Sequence, residues 1–409
     1  MMKPRFGSPM NARERRATAG LAGIFAARML GLALILPVFA LYAEQLAGHT
    51  PFLIGLALGT YGLTQALLQI PFGVASDRFG RKPVIITGLL IFMLGSVVAA
   101  MATTIEGVII GRALQGAGAV AAAVIALLAD LTRDEQRTKA MALVGISIGA
   151  SFMLALVLGP MLYDIVSVPG IFWLTAILAL VGIAVLVLFI PTPVRAVSHA
   201  PLLSQLKGAL KDRHLIQLNF GIFVLHAVMM AIFVVVPPML VHEAGIAGAR
   251  HWQVYLPVLL ASLVIMVPLL VTAERKQNLH RVFPFAILLL AVSQGVIHWG
   301  QGSVWGIAIG LWLFFGAFNA LEALMPSLVS RLAPADGKGA AVGIFSSSQF
   351  FGVFVGAVGS GAIYGAFGVQ AVFTFTAILL LLWFVVSLGM GAIRFKTASS
   401  EQNESKSYS

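Results

Sequence analysis

Long apolar runs recur along the whole chain, and they constrain its fold more than any other feature of the sequence. Each run is close to the ~20 residues that cross the hydrocarbon core of a bilayer. Hydrophobic residues make up 59% of the 409 positions and charged residues only 10%, whereas soluble domains carry about 45–50% and about 25%. The sequence therefore excludes a soluble globular protein and predicts an all-α membrane protein.

Twelve spans are predicted by taking each apolar run between charged or turn-forming residues. They cover residues 19–43, 52–75, 83–102, 106–131, 138–163, 168–191, 217–242, 251–274, 282–300, 303–330, 339–363 and 368–393.

The basic residues fall almost entirely in alternate gaps between these spans. Of the 26 Lys and Arg residues, 22 lie in the gaps of one side and Lys139 lies at the adjoining end of the fifth span, whereas Arg250 lies in a gap of the other side and Arg28 and Arg112 lie deeper inside spans. Since basic loops stay in the cytoplasm, this asymmetry predicts that both termini are cytoplasmic. The net charge of +11 follows from these loops. No basic face interleaved with aromatic residues is present, so we expect no nucleic-acid partner.

A polar segment in the middle of the chain divides the spans into two groups of six. The segment 172–178 (FWLTAIL) in the sixth span returns as 373–379 (FTFTAIL) in the twelfth, as expected of two pseudo-symmetric six-helix bundles. The predicted units are a cytoplasmic N-terminal segment 1–18, an N-terminal bundle 19–191, a cytoplasmic linker 192–216, a C-terminal bundle 217–393 and a polar tail 394–409.

The gap between the second and third spans contains the most specific motif, residues 73–83 (GVASDRFGRKP). A glycine permits close approach of helices, and the basic residues face an anionic lipid surface. The segment resembles motif A of the major facilitator superfamily. The resemblance implies a gating relay that includes Asp130, with Asp77 facing the start of the eleventh span near Lys338. The gating residues are Gly73, Asp77, Arg78, Gly80, Arg81, Lys82 and Asp130.

Two further segments resemble motifs of the same superfamily. Arg112, Gln115 and Gly116 in the fourth span match motif B of proton-coupled members. An arginine within a span is costly unless it faces a cavity or a partner. The resemblance implies that Arg112 modulates a protonatable group, with a packing role as the alternative. Gly159 and Pro160 match only part of motif C, the antiporter signature, so the direction of coupling is left open.

Three ionisable residues inside spans are candidates for proton coupling together with Arg112. They are Glu322, His226 and Arg28, since buried ionisable groups in a bilayer are by default functional. Glu322 is the first candidate for the proton carrier and His226 the second, although either can also serve as a purely structural partner. Arg28 either pairs with Glu322, binds a substrate anion, or extends towards the cytoplasm.

Weaker polar and sulfur-containing side chains are candidates for the substrate cavity. They are Tyr42, Gln69, Asn319, Ser348, Gln349, Met229 and Met230. His226 with its two neighbouring methionines also leaves open a copper(I) site, but we expect no resident metal or other cofactor. The chain has no cysteine, no nucleophile–base signature and no phosphate-binding loop of the Walker A type, so we expect neither an enzyme nor an ATP-driven pump.

The family resemblance extends from Arg28 through the twelfth span. Within the superfamily the chain is most similar to YajR-type transporters of the proton-coupled, twelve-helix drug-efflux branch. This similarity rests on residues 28–31, 61–66, 70–73, 218–222 and 322–324. YajR-type proteins often append a soluble domain, whereas only a polar tail follows the twelfth span here.

The resemblance implies a monomeric secondary transporter of a bacterial inner membrane. Its expected partners are protons, a small-molecule substrate and the lipid bilayer. The expected activity is proton-driven antiport of small hydrophobic or amphipathic compounds by alternating access. Symport or export of a specific metabolite or copper is the alternative. A non-transporting membrane receptor is a third, more distant hypothesis.

Overall fold

The computed structural model describes residues 9–192, 208–275, 278–333 and 337–389, and these residues are almost entirely helical. The helices are α1 Ala12–Ala33, α2 Phe39–Ala43, α3 Pro51–Phe79, α4 Arg81–Met101, α5 Ile105–Ala117, α6 Ala121–Leu131, α7 Asp134–Leu188, α8 Arg213–His242, α9 Trp252–Arg275, α10 Leu279–Trp299, α11 Val304–Leu332, α12 Lys338–Phe367 and α13 Val369–Leu388.

These helices make the twelve predicted crossings. Ten helical stretches of the described residues are long and apolar enough to span a membrane. One of them, α7, is interrupted at Ser167, whose φ of 55° lies in the left-handed region, and it therefore supplies the fifth and sixth spans. The first crossing is α1 followed by a turn and α2. The all-α architecture is confirmed, while the cytoplasmic position of the termini stays a prediction.

Most helix packing falls within α1 to α7 or within α8 to α13, so the chain forms two bundles, and α3 and α12 pack against each other between them. The C-terminal bundle begins earlier than predicted, since α8 starts at Arg213, where Asp212 Oδ1 accepts a hydrogen bond from the backbone N–H of Leu215. Most of the predicted linker and the whole polar tail lie outside the described residues, and the unit boundaries stay predictions.

The two bundles meet most closely along α3 and α12. A methyl group added at Gly55 would lie 2.3 Å from the carbonyl oxygen of Ala357, and one added at Gly62 would lie 2.5 Å from that of Phe350. Nearer the motif A end the contact loosens, because a methyl group at Gly343 would meet only the side chain of Ile70, at 3.8 Å. Glycines thus bring the bundles together at the end opposite motif A.

Candidate functional site

A polar cluster joins three helices of the C-terminal bundle. The side-chain Nε2 of Gln349 on α12 lies 2.8 Å from Nε2 of His226 on α8. The same nitrogen lies 3.3 Å from Oε1 of Glu322 on α11. His226 Nε2 and Glu322 Oε2 are 3.8 Å apart. The structure therefore brings together the two leading proton-carrier candidates and one predicted cavity residue.

Hydrogen-bond directions in this cluster assign the protonation of the histidine. The Gln349 amide nitrogen is a donor, so His226 Nε2 accepts, and the ring proton is on Nδ1. His226 Nδ1 lies 3.2 Å from the carbonyl oxygen of Ile222, which accepts that proton. Glu322 Oε2 is buried and has no hydrogen-bond partner. The carboxyl group thus keeps one oxygen available for a proton or a substrate group.

Aromatic rings from both bundles surround this cluster. The ring of Phe318 lies 5.7 Å from that of His226 and stacks on Phe152 of α7 at 6.4 Å. Phe152 also meets the edge of Phe233 at 6.5 Å. Asn319, next to Phe318, is half-buried and its Nδ2 lacks a partner. The carboxyl group of Glu322 and the amide of Asn319 thus lie beside apolar rings that come from both bundles.

Arg28 belongs to a separate network in the N-terminal bundle. Its Nη2 donates to the Gln65 side chain at 2.7 Å, the Gly118 carbonyl oxygen at 3.0 Å and the Tyr61 hydroxyl at 3.2 Å. Gln65 in turn donates to Gln69 at 2.8 Å. The proposed pairing of Arg28 with Glu322 is wrong for this structure, because neutral groups of α3 and the α5–α6 turn hold the guanidinium. Arg28 is only 7% exposed, so it does not extend to solvent.

Arg112 is enclosed in the same bundle. Its Nη1 donates to Gln115 Oε1 at 2.8 Å, and its Nε donates to the Ala57 carbonyl oxygen at 3.3 Å. Its guanidinium carbon lies 5.0 Å from the ring centre of Tyr61. Among the described residues no carboxylate comes within 4.0 Å of Arg28 or Arg112. The N-terminal bundle therefore holds two buried cations on neutral partners.

The motif A residues form a compact relay at the other end of the bundle. Arg81 pairs with Asp77 one turn away, and its Nε lies 3.0 Å from Asp130 Oδ2. Arg81 Nη1 also donates to Ser76 Oγ at 2.8 Å. The described residues show no ion pair between Asp77 and Lys338. The tight contacts between α3 and α12 lie at the end of these helices that is farther from motif A. Among the remaining members, Gly73 lies against Ala122, and the guanidinium of Arg78 lies over the ring of Phe79. Gly80 has a φ of 99° at the junction between α3 and α4, and Lys82 follows in the first turn of α4.

The glycines of motifs B and C lie at close backbone contacts. A methyl group at Gly116 would come within 2.2 Å of the Tyr61 carbonyl oxygen, and one at Gly159 within 2.3 Å of the Leu34 carbonyl oxygen. Gly159 and Pro160 therefore lie against the turn that separates α1 from α2.

The other predicted cavity residues are dispersed. Ser348 is half-buried beside Gln349, whereas Met229 and Met230 are buried within α8. Tyr42 is buried on α2 and has no recorded contact with the cluster. The described residues contain no group of three or more His, Asp or Glu side chains that could hold a metal.

Sequence reasoning missed the groups that connect the predicted residues. Tyr61 and Gln65 were noted only as part of a resembling segment, although Tyr61 contacts both buried arginines. Phe152, Phe233 and Phe318 carry no sequence signal that separates them from packing residues, because lipid-facing and cavity-facing phenylalanines look alike in an apolar run.

Comparison with known proteins agrees with this architecture. The family model of the Major Facilitator Superfamily matches residues 21–278 and 260–407. The chain is 46% identical to the inner membrane transport protein YajR of Escherichia coli (strain K12) over 389 residues, covering 93% of this chain and 84% of that protein. It is 28% identical to the multidrug resistance protein MdtH of Proteus mirabilis over 352 residues, covering 82% and 84%. A bacterial homolog of the human lysosomal transporter Spinster, solved in an inward-facing and occupied conformation, superposes with a TM-score of 0.74 at 13% identity, covering 95% and 99%.

Proposed function

Because the chain belongs to the major facilitator superfamily, we propose that this membrane transporter exchanges protons for a small amphipathic or hydrophobic compound across the inner membrane. Its relatives and fold neighbours are transporters and not enzymes. The observation that carries the proposal is the Glu322–Gln349–His226 cluster beside the aromatic rings of both bundles. It unites a titratable pair with a surface for an apolar ligand.

Glu322 is the proposed proton carrier. Glu322 Oε2 and Asn319 Nδ2 both lack a hydrogen-bond partner. Because the two residues are one turn apart on α11, their side chains lie on the same side of the helix. A substrate that donates a hydrogen bond to Glu322, or places a positive charge beside it, favours the ionised carboxyl group and expels its proton. Competition at one carboxyl group is sufficient for antiport by alternating access. The relative MdtH, named for multidrug resistance, supports this direction.

His226 serves as the second proton acceptor. Its Nε2 becomes available when the Gln349 amide turns away, and a protonated His226 would then pair with Glu322 across the present 3.8 Å. Arg112 has no direct contact with this cluster, so its proposed influence on the cluster is through the field of a buried cation.

Proton release from the purified protein tests this proposal. A panel of lipophilic cations, neutral drugs and organic anions is added in weakly buffered detergent with a pH indicator. We expect release on adding a transported compound, loss of that release in Glu322→Gln, and retention in the control Glu106→Gln, whose carboxyl group is exposed at the start of α5. Release that is unchanged in Glu322→Gln would refute the assignment.

One observation favours a second candidate function, symport of an anionic compound. Arg28 and Arg112 are both buried without a carboxylate among the described residues, and the Nε of Arg28 has no partner. A bound anion would balance this charge, and its field would strengthen proton binding at Glu322. The same experiment separates the two functions, since symport produces proton uptake on adding substrate and antiport produces release.

A further inference from the structure

Two apolar grooves flank the exposed side of α1 near its N-terminus. The first, of about 430 Å³, lies between α1 and the second half of α7 and includes Arg16, Gly20, Gly23 and Phe189. The second, of about 300 Å³, lies between α1 and the first half of α7 and includes Arg15, Thr18 and Leu143. Ala19 lines both grooves.

The crest of α1 between the grooves is made of small residues. At 3.6 residues per turn, Ala19, Ala22, Gly23 and Ala26 lie on one strip of the helix surface. Each is exposed or half-buried, and a methyl group at Gly23 would meet no atom within 4 Å. The strip is thus a low ridge with a groove on each side.

An arginine lines each groove in the half nearer the side that the basic loops assign to the cytoplasm. Arg15 and Arg16 are exposed, and neither has an ion-pair partner among the described residues. Arg16 is held over the ring of Phe189 at 5.7 Å. Basic pockets between spans on the cytoplasmic side are suited to anionic lipid head groups.

A buried polar atom in the second groove also lacks a partner. Thr18 is 2% exposed and lines this groove, yet its hydroxyl makes no hydrogen bond. A buried hydroxyl without a partner is destabilising. If the Thr18 side chain turns toward the groove, the ester or glycerol oxygen of a bound lipid would accept this hydrogen bond.

We propose that one anionic phospholipid of the cytoplasmic leaflet binds astride α1, with its phosphate between Arg15 and Arg16 and one acyl chain in each groove. This site lies outside the transport cluster and does not depend on the transport proposal. Two chains, two grooves and two cations at one end of a narrow ridge match a diacyl lipid with a negative head group.

Native mass spectrometry of the purified full chain tests this site with phosphatidylglycerol and phosphatidylcholine of identical acyl chains. We expect one molecule of phosphatidylglycerol to bind, with an affinity at least about tenfold higher than that of phosphatidylcholine. The double variant Arg15→Gln/Arg16→Gln should lose that preference. The matched control is Arg13→Gln, an exposed arginine of the same turn that lines neither groove. It should keep the preference.

Two single variants test the grooves themselves. Gly23→Leu places an apolar side chain in the first groove from a position where the Cβ atom meets nothing within 4 Å, and it should weaken the binding of both lipids. Thr18→Val removes only the unpartnered hydroxyl and should weaken lipid binding without lowering the unfolding temperature in lipid-free detergent. Equal binding of the two lipids by the wild-type protein would overturn the proposal. So would an Arg13→Gln effect as large as that of the double variant, or full phosphatidylglycerol affinity in both Gly23→Leu and Thr18→Val.

Discussion

The amide nitrogen of Gln349 lies 2.8 Å from Nε2 of His226, and this contact requires a neutral histidine that carries its proton on Nδ1. Gln349 also donates to Glu322, so one amide bridges the two titratable groups. In the proposed cycle, Gln349 must release at least one of these contacts when a proton arrives.

Replacement of this amide should uncouple the pair. In Gln349→Leu, both His226 Nε2 and Glu322 Oε1 lose their donor, which costs about 1–3 kcal/mol for each buried group that is left without a partner. We expect an altered carboxyl band in infrared difference spectra of the protonated and deprotonated protein, the band being identified by its absence in Glu322→Gln. Ser348→Ala, one residue away, should leave the band in place. An unchanged band in Gln349→Leu would show that the amide does not contact the carboxyl group.

Replacement of Arg112 by lysine should destabilise the protein. The guanidinium donates to Gln115 and to the backbone of α3 and stacks on Tyr61, and an ammonium group cannot reproduce this planar set of donors. We expect Arg112→Lys to lose about 1–3 kcal/mol for each acceptor left unsatisfied, measured as a lower unfolding temperature in detergent. The exposed Arg250→Lys is the control, and equal stability of the two variants would contradict the clamped geometry.

Gly55 should control how closely the bundles meet. The alanine methyl group in Gly55→Ala would lie 2.3 Å from a backbone oxygen of α12, and overpacking of this kind costs about 1–3 kcal/mol. Because the chain has no cysteine, spin labels can be attached at Gln45→Cys and Glu243→Cys alone. We expect longer distances between the labels in Gly55→Ala and no change in Gly145→Ala, where the methyl group meets nothing within 4 Å. Unchanged distances between the labels in Gly55→Ala would show that this contact does not determine how closely the bundles approach each other at the end opposite motif A.

Glu14 ties the start of α1 to the segment before α7. Arg133 Nε donates to Glu14 Oε1 at 2.8 Å, and Arg133 Nη2 donates to Glu14 Oε2 at 2.9 Å. Together with hydrogen bonds from the backbone N–H groups of Arg133 and Asn11, they lower the pKa of Glu14 to about 2. A carboxyl group with a lowered folded pKa stabilises the protein above its unfolded pKa of about 4.3, and that contribution is lost as the pH falls through the folded value.

The pH dependence of unfolding should reveal this contribution. We expect Glu14→Gln to lower the unfolding temperature at neutral pH, with a difference from the wild-type protein that stays constant down to about pH 5 and shrinks below about pH 4.3. Glu106→Gln is the control. A difference that grows on acidification would have the wrong sign for a lowered pKa.

The helices could be predicted from the sequence because membrane spans are set by length and hydropathy. The break in α7 was also predicted, since the run ending at 163 and the next starting at 168 enclose Ser167. The start of α8 was missed by four residues, because the helix begins with the polar residues Arg213 and His214, ahead of the predicted apolar run.

The candidate site was predicted less completely. Glu322, His226 and Gln349 were each identified as polar residues in apolar spans, but their mutual contact depends on how α8, α11 and α12 rotate about their axes, which one sequence does not specify. Pairing of Arg28 with Glu322 was one of three alternatives, and the structure has the neutral acceptors Gln65 and Gly118 in its place, which charge complementarity alone does not predict. The aromatic rings of Phe152 and Phe318 could not be separated from packing residues.

Flux into proteoliposomes under an imposed pH gradient tests the central claim, coupling through Glu322, most directly. The substrate is a compound that causes proton release in detergent. We expect the wild-type protein to concentrate it against its gradient when the pH gradient is imposed. Glu322→Gln should still exchange labelled for unlabelled compound without any gradient, but it should not accumulate the compound when the gradient is applied. Accumulation by Glu322→Gln equal to that of the wild-type protein would contradict the account.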